Sequence, residues 1–254
     1  MITLNKIIII KFNIAYLFVY LLLFFIPPVA HSQTSLVFNV TGQPPLNTKK
    51  YDGFMDEVTR EALKRIGYNL KINRLPAERG LHSINKGIID GEMSRVIGLD
   101  KKYTNLIHVP ESIMTWDFVV FSKKEINLKN GWVSLNEKNV SFINGWKILE
   151  KNIPQSAKIT KTKNSQQLFQ LLSKNRTDYI IYERWGGYYL IDKMQLVNIK
   201  SIEPALSSKK MYIYLHKKHA AIVPELSKAL TDMKNDGSYT KIINKHLNGS
   251  SSKD

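Results

Sequence analysis

The chain has 254 residues, 43% hydrophobic and 10% aromatic, with 37 Lys and Arg against 21 Asp and Glu and no cysteine. That composition excludes a disordered chain, which could not bury enough apolar surface to offset its conformational entropy. The lack of Cys excludes a disulfide scaffold and a thiolate-ligated metal centre, and the length admits one large domain or two small ones.

The formal charge of +16 invites a nucleic-acid partner, but the N-terminus argues against one. Met1–Lys6 is a short basic start, Ile7–Ile26 is apolar except for Lys11 and Asn13, and Pro27-Pro28 end the run. Ala30-His31-Ser32 then places small residues where a signal peptidase cuts before Gln33, so residues 1–32 read as an export signal. An uncleaved anchor is the alternative, since about 20 apolar residues span a bilayer. No Cys follows for a lipid anchor, and no second spanning run exists. Without Lys6 and Lys11 the mature chain carries 35 basic and 21 acidic residues, or +14. The lysines fall in scattered pairs such as Lys49-Lys50, Lys101-Lys102 and Lys209-Lys210, which reads as a solvated surface.

In chain order, Leu36–Val40 reads as a strand, followed by a Gly-Gln-Pro-Pro loop. Asp52–Ile66 reads as a helix, because Phe54, Val58, Ala62 and Ile66 recur at helical spacing before Gly67. Tyr68–Ile72 is a second strand, Pro76 opens a helix closed by Gly87, Ile88–Val96 is a third strand and Asp117–Ser122 a fourth. A second unit follows: strand Asn139–Ile143, helix Trp146–Lys151, a short strand at Ile159–Thr160, helix Ser165–Lys174, strand Asp178–Tyr182 and helix Gly187–Asp192. Met211–His216 is a last strand, and helices Pro224–Lys234 and Ser238–Leu247 precede a polar tail, 248–254. This order predicts an α/β protein of two units, each a mostly parallel sheet covered by helices, with ligand at the carboxyl ends of the strands and between the units.

Gly53-Phe54-Met55-Asp56-Glu57, Leu75-Pro76-Ala77-Glu78-Arg79-Gly80-Leu81, Asn85-Lys86-Gly87 with Asp90-Gly91, Asn144-Gly145-Trp146-Lys147 and Asn175-Arg176-Thr177-Asp178 occur in that order. Together they resemble a divergent branch of the periplasmic solute-binding proteins of family 3, the amino-acid-binding type. The resemblance implies a type II periplasmic-binding-protein clamshell with two crossover strands as hinge. Lobe 1 would be 33–120 with 210–247, and lobe 2 would be 121–209. It further implies a periplasmic, monomeric, non-enzymatic protein that captures an amino acid, short peptide or related carboxylate. The partner would be an inner-membrane importer, such as an ABC transporter, or a sensor. No cofactor or nucleic acid is implied.

Arg95, with Ser94 before it, ends the third strand and is suited to hold a carboxylate through two parallel hydrogen bonds. The family's usual arginine position falls on Lys102, which reads here as a surface charge, and the alternative for Arg95 is a surface pair with Glu92 or Glu111. Glu183 stands where relatives carry the acid that meets a ligand ammonium, with a pair to Arg184 as its alternative. The Asn144-Gly145 turn offers helix-start amides to an anion, and Trp146 a flat wall. Tyr51, Trp116, Tyr182 and Trp185 are further cleft candidates, and Arg79 either faces the cleft or pairs with Glu78 or Glu57.

No H-E-x-x-H or G-x-S-x-G stands in the chain, and His216-x-x-His219 among lysines reads as a solvated face, so no catalytic, cofactor or metal residue is assigned. The alternative functions are a dehydratase-like periplasmic lyase, using Glu183 with Lys147 or Arg95, and a cell-wall or membrane-surface binder resting on the +14 charge.

Overall fold

Loop 42–53 and the first helix lock together through one buried acid. Asp56 accepts from Gly53 N at 3.0 Å, from Thr48 N at 3.1 Å and from Asn47 Nδ2 at 2.7 Å. A carboxylate at the start of a helix satisfies otherwise orphaned amides and meets the positive end of the dipole. Gly53 is needed here, since a Cβ would stand 2.7 Å from Leu46 O. The helix, α1 (Phe54–Arg65), buries Phe54, Met55, Val58, Ala62 and Leu63 along one face and ends before Gly67 at φ +83°. The structure is a computed structural model and describes residues 34–247, the Lys147 side chain excepted. The expected export signal and polar tail lie outside the described residues.

The other elements are β1 (Ser35–Asn39), β2 (Asn69–Asn73), α2 (Ala77–Asn85), β3 (Gly91–Arg95), β4 (Leu106–His108) and β5 (Met114–Ser122). They continue with β6 (Asn139–Ile143), α3 (Lys147–Asn152), β7 (Lys158–Thr162), α4 (Ser165–Ser173), β8 (Tyr179–Glu183) and α5 (Arg184–Lys193). The last are β9 (Lys200–His216), α6 (Val223–Asn235) and α7 (Ser238–His246). The strands run β2-β1-β3-β9-β5-β8-β6-β7, with β4 also on β9. Parallel pairing holds within β2-β1-β3 and within β8-β6-β7, as the alternation of strands and helices predicts, and every pairing of β5 or β9 is antiparallel.

β5 and β9 connect two separately packed lobes. Phe38, Phe54, Met93, Ile213, Leu226 and Leu230 form the core against α1 and α6. On the other side Val120, Phe142, Leu149 and Ile181 pack one face of the second half, and Val119, Phe121, Leu168, Phe169 and Ile180 pack the opposite face. Adjacent residues of β5 thus enter different cores, which is what a strand covered on both faces requires.

The structure extends the last predicted strand from Met211 back to Lys200 and adds β4. The polar run Ser207-Ser208-Lys209-Lys210 and Pro204 conceal this strand in the sequence. Pro204 falls where the register jumps from Phe118↔Ser207 to Val120↔Ile202, a bulge that spares the missing amide.

Candidate functional site

The carboxyl ends of β1 and β3 converge on a small pocket lined by Val40, Thr41, Gly42, Asn47, Glu92, Met93, Ser94 and the β5 residue Trp116. Its volume of about 10 Å³ is roughly that of one water probe. Glu92 is buried at 1% exposure and accepts from Asn39 Nδ2 at 2.8 Å. Arg95 Nη2 lies 3.2 Å from Glu92 Oε1, within ion-pair range but not aligned for a hydrogen bond. Burial pushes the Glu92 carboxyl up to about 7, against the opposing pull of Arg95 and the Asn39 amide.

Several buried donors at this point have no acceptor among the described residues: Ser94 Oγ, Arg95 Nε and Nη2, and Trp116 Nε1. Leaving a buried donor unsatisfied costs about 1–3 kcal/mol, so a group of them marks a place where an acceptor completes the arrangement. Ser94, Arg95 and Trp116 are three of the residues singled out in the sequence. Arg95 pairs with Glu92, though inside the lobe and not at its surface; Glu111 instead binds Lys234.

A larger cavity of about 840 Å³ lies between the lobes. One wall is the loop around Pro44, Pro45, Lys49 and Lys50, with Arg74; the other is Ser165, Gln166, Tyr182, Tyr189, Leu190 and Lys193. Asn47 lines both spaces, and Gly42 of the small pocket precedes Gln43 of the large one. Arg74 donates to Gly42 O and Thr48 O, each at 2.9 Å, and so holds the loop in shape. Tyr182 stacks on Trp146 with centroids 5.0 Å apart and meets Phe169 edge-on at 5.7 Å, and burial pushes its hydroxyl up to about 12.

The other candidates are placed as follows. Glu183 is buried and caps α5, accepting from Trp185 N at 3.0 Å and Gly186 N at 2.7 Å, while burial pushes its carboxyl up to about 7. It does not pair with Arg184, which binds Asp117 and Glu203. Gly145, at φ +87°, and Asn144 are exposed, and the Gly145 amide already donates to Glu150 Oε1 at 3.3 Å. Arg79 is exposed on α2 without a partner among the described residues: Glu78 pairs with Lys102, and Glu57 with Lys245 and His246. Tyr51 is exposed, and its carbonyl accepts from Arg60. Trp185, on α5, packs against the core of the opposite lobe. Lys102 is exposed, as expected of a surface charge.

Glu92, Asn39, Asn47, Arg74 and Lys193 were not assigned to the site from the sequence. For Glu92 a signal existed: it stands between Gly91 and Met93 in a predicted strand, with Arg95 three residues on as a charge partner, and an acid buried there must be paired. A third concavity, of about 370 Å³, is lined by residues from Thr160 to Lys163 and from Gln167 to Arg176 alone. It draws on one lobe and lacks the unsatisfied donors of the first site.

Among curated sequences, an uncharacterized protein of Shewanella oneidensis is 25% identical over 192 residues, 71% of this chain and 70% of its own length. Among solved structures, the GluR0 ligand-binding core in complex with L-glutamate superposes with a TM-score of 0.71 at 14% identity, covering 85% of this chain and 99% of that one. A histidine kinase sensor domain with similarity to periplasmic binding proteins gives 0.65 at 16% identity, covering 85% and 96%. At such identities these likenesses establish the two-lobed binding-protein fold. The model of the bacterial extracellular solute-binding proteins, family 3, matches residues 36–249. With that match across both lobes, the chain belongs to the family 3 extracellular solute-binding proteins.

Proposed function

We propose that this protein is an exported, monomeric receptor that captures a small carboxylate-bearing ligand between its lobes and presents it to an inner-membrane importer or sensor. The observation that carries the reading is the set of buried donors on Ser94, Arg95 and Trp116 left without acceptors. A carboxylate supplies two acceptor oxygens in one plane and suits a guanidinium edge. In this reading residues 1–32 direct export to the periplasm, lobe 1 is 33–120 with 210–247, and lobe 2 is 121–209. Hinge bending at the two crossover strands would admit the ligand, since the small pocket has room for about one water. The GluR0 core, a glutamate complex, and the sensor domain support a ligand-binding role of this kind. Calorimetry against a panel of amino acids, short peptides and carboxylic acids tests it. A carboxylate that binds to the parent and fails to bind Arg95→Ala supports the reading, and no heat from any member of the panel sinks it.

A second reading, a lyase on the same scaffold, draws on one feature: burial pushes the Glu92 carboxyl up to about 7 beside the Arg95 guanidinium, where a general acid–base would be tuned. Glu183, whose oxygens hold the α5 amides, is less suited to that work. Incubation with hydroxy acids of the prephenate type, followed by ultraviolet absorbance, separates the two readings: turnover supports the lyase, binding without turnover the receptor.

A further inference from the structure

The lining of the inter-lobe cavity narrows the ligand class. Lys49, Lys50, Arg74, Lys193 and Lys245 line it, and Asp52 is the sole carboxylate among its lining residues. Lys245 is already paired with Glu57 outside the cavity. The other four cations form no contact ion pair among the described residues: Arg74 binds backbone carbonyls, Lys193 lies over the Tyr189 ring at 5.5 Å, and Lys50 acts on Asp52 only through its field. Asp52 is engaged by the Thr48 hydroxyl, which with Lys50 holds its carboxyl below the usual range. Like charges gathered around one concavity repel one another, and their field attracts an anion carrying several charges.

The placement matters as much as the count. Lys49, Lys50 and Arg74 belong to the lobe of α1, and Lys193 to the end of α5 in the other lobe, so an anion between them touches both walls. At about 840 Å³ the cavity sits high in the range of roughly 300–1,000 Å³ usual for small-molecule sites. A free neutral amino acid would leave much of that volume to water. The apolar faces of Pro44, Pro45, Tyr182 and Leu190 provide walls for the body of a longer molecule.

We propose that the ligand is a small polyanion whose acidic groups lie among Lys49, Lys50 and Arg74 on one wall and Lys193 on the other, bridging the lobes. The proposal rests on the receptor reading above and adds the charge class.

Titration calorimetry on the purified full-length protein tests it with three groups of probes at matched ionic strength. Citrate and the dipeptide Glu-Glu represent polycarboxylates, glycerol 3-phosphate and pyrophosphate represent phosphates, and L-glutamine and L-arginine represent neutral and cationic amino acids. At least one polyanion should bind ten times or more tighter than both amino acids, and the two anionic groups show which acid the site prefers. The double variant Lys49→Gln/Lys50→Gln and the single variant Lys193→Gln should each weaken that polyanion about tenfold and flatten its salt dependence. These side chains are exposed, so their melting temperatures should match the parent. Glutamine or arginine binding as tightly as any polyanion, or polyanion affinity unchanged in both variants, overturns the proposal and leaves the receptor reading intact. No binding in any group overturns both.

Discussion

Two buried glutamates stand in strands of the two lobes, one near the amino end of β3 and the other at the carboxyl end of β8. Glu92 lies in β3 and Glu183 ends β8, and burial raises both carboxyls to about 7. Their surroundings differ in one respect. Glu183 turns both oxygens onto the first amides of α5, so each oxygen already holds a donor from its own helix. Glu92 has one amide donor from Asn39 and a poorly aligned guanidinium, and the donors around it outnumber the acceptors. The same burial thus yields a structural cap in one lobe and an incomplete polar cluster in the other. A raised carboxyl alone does not mark a binding site; surplus donors beside it do.

The largest expected effect separates the two roles by stability. Glu183→Ala strips the cap and leaves the Gly186 amide buried without an acceptor, at a cost of about 2 kcal/mol, or roughly 4–8 °C in Tm. Ligand affinity in the folded variant should stay within threefold of the parent. Unchanged melting together with lost binding would restore Glu183 to the ammonium-binding role that the family resemblance implies.

Arg95→Ala should invert that pattern for the ligand, weakening a carboxylate at least tenfold, about 1.4 kcal/mol. Lys102→Ala should change affinity less than threefold, because its ammonium pairs with Glu78 on the exposed surface. Calorimetry on both variants decides between them, and a larger effect at Lys102 would place the anion there.

The comparison sharpens with Glu92→Gln, which keeps an acceptor for Asn39 and removes the charge competing for Arg95. Affinity for a carboxylate above pH 7 should rise a few-fold and its dependence on pH should flatten. A fall in affinity would mean that the Glu92 carboxylate itself meets a ligand cation.

The smallest effect is in the pH dependence of stability. Both glutamates release their protons at higher pH folded than unfolded, so between about 4.5 and 7 the folded state holds more protons. Their contribution is therefore fully present below about 4.5, declines as pH rises through 7 and is level above it. Denaturant titrations across that window should show a shallower decline in Glu92→Gln than in the parent. Identical slopes would mean that Glu92 is ionised throughout.

Local pattern carried most of the fold. The helical spacing of Phe54, Val58 and Ala62 and the stop at Gly67 located α1, and Asn139–Ile143 came out at its observed bounds, because each element buries a face that its own period displays. The first half of β9 escaped because Lys209 and Lys210 are exposed there and Pro204 sits in a bulge, so its strand character comes from β5 alongside. In the site, Ser94 and Arg95 were legible as polar residues ending a buried strand. The pairing of Glu92 with Asn39 was not, since 53 residues separate them and only the β1–β3 ladder brings them together.

The amino-acid sequence by itself determined the alternation of helices and strands, the family motifs and the basic surplus, all properties of neighbouring residues and of composition. Only the tertiary structure decided which charges matter. Burial and hydrogen-bond supply at the site are set by what distant segments bring: Asn39 of β1 reaches Glu92, Trp116 of β5 stands beside Ser94, and Lys49, Lys50 and Lys193 line one cavity. Desolvation and donor–acceptor balance depend on three-dimensional neighbours, and no spacing along the chain encodes them.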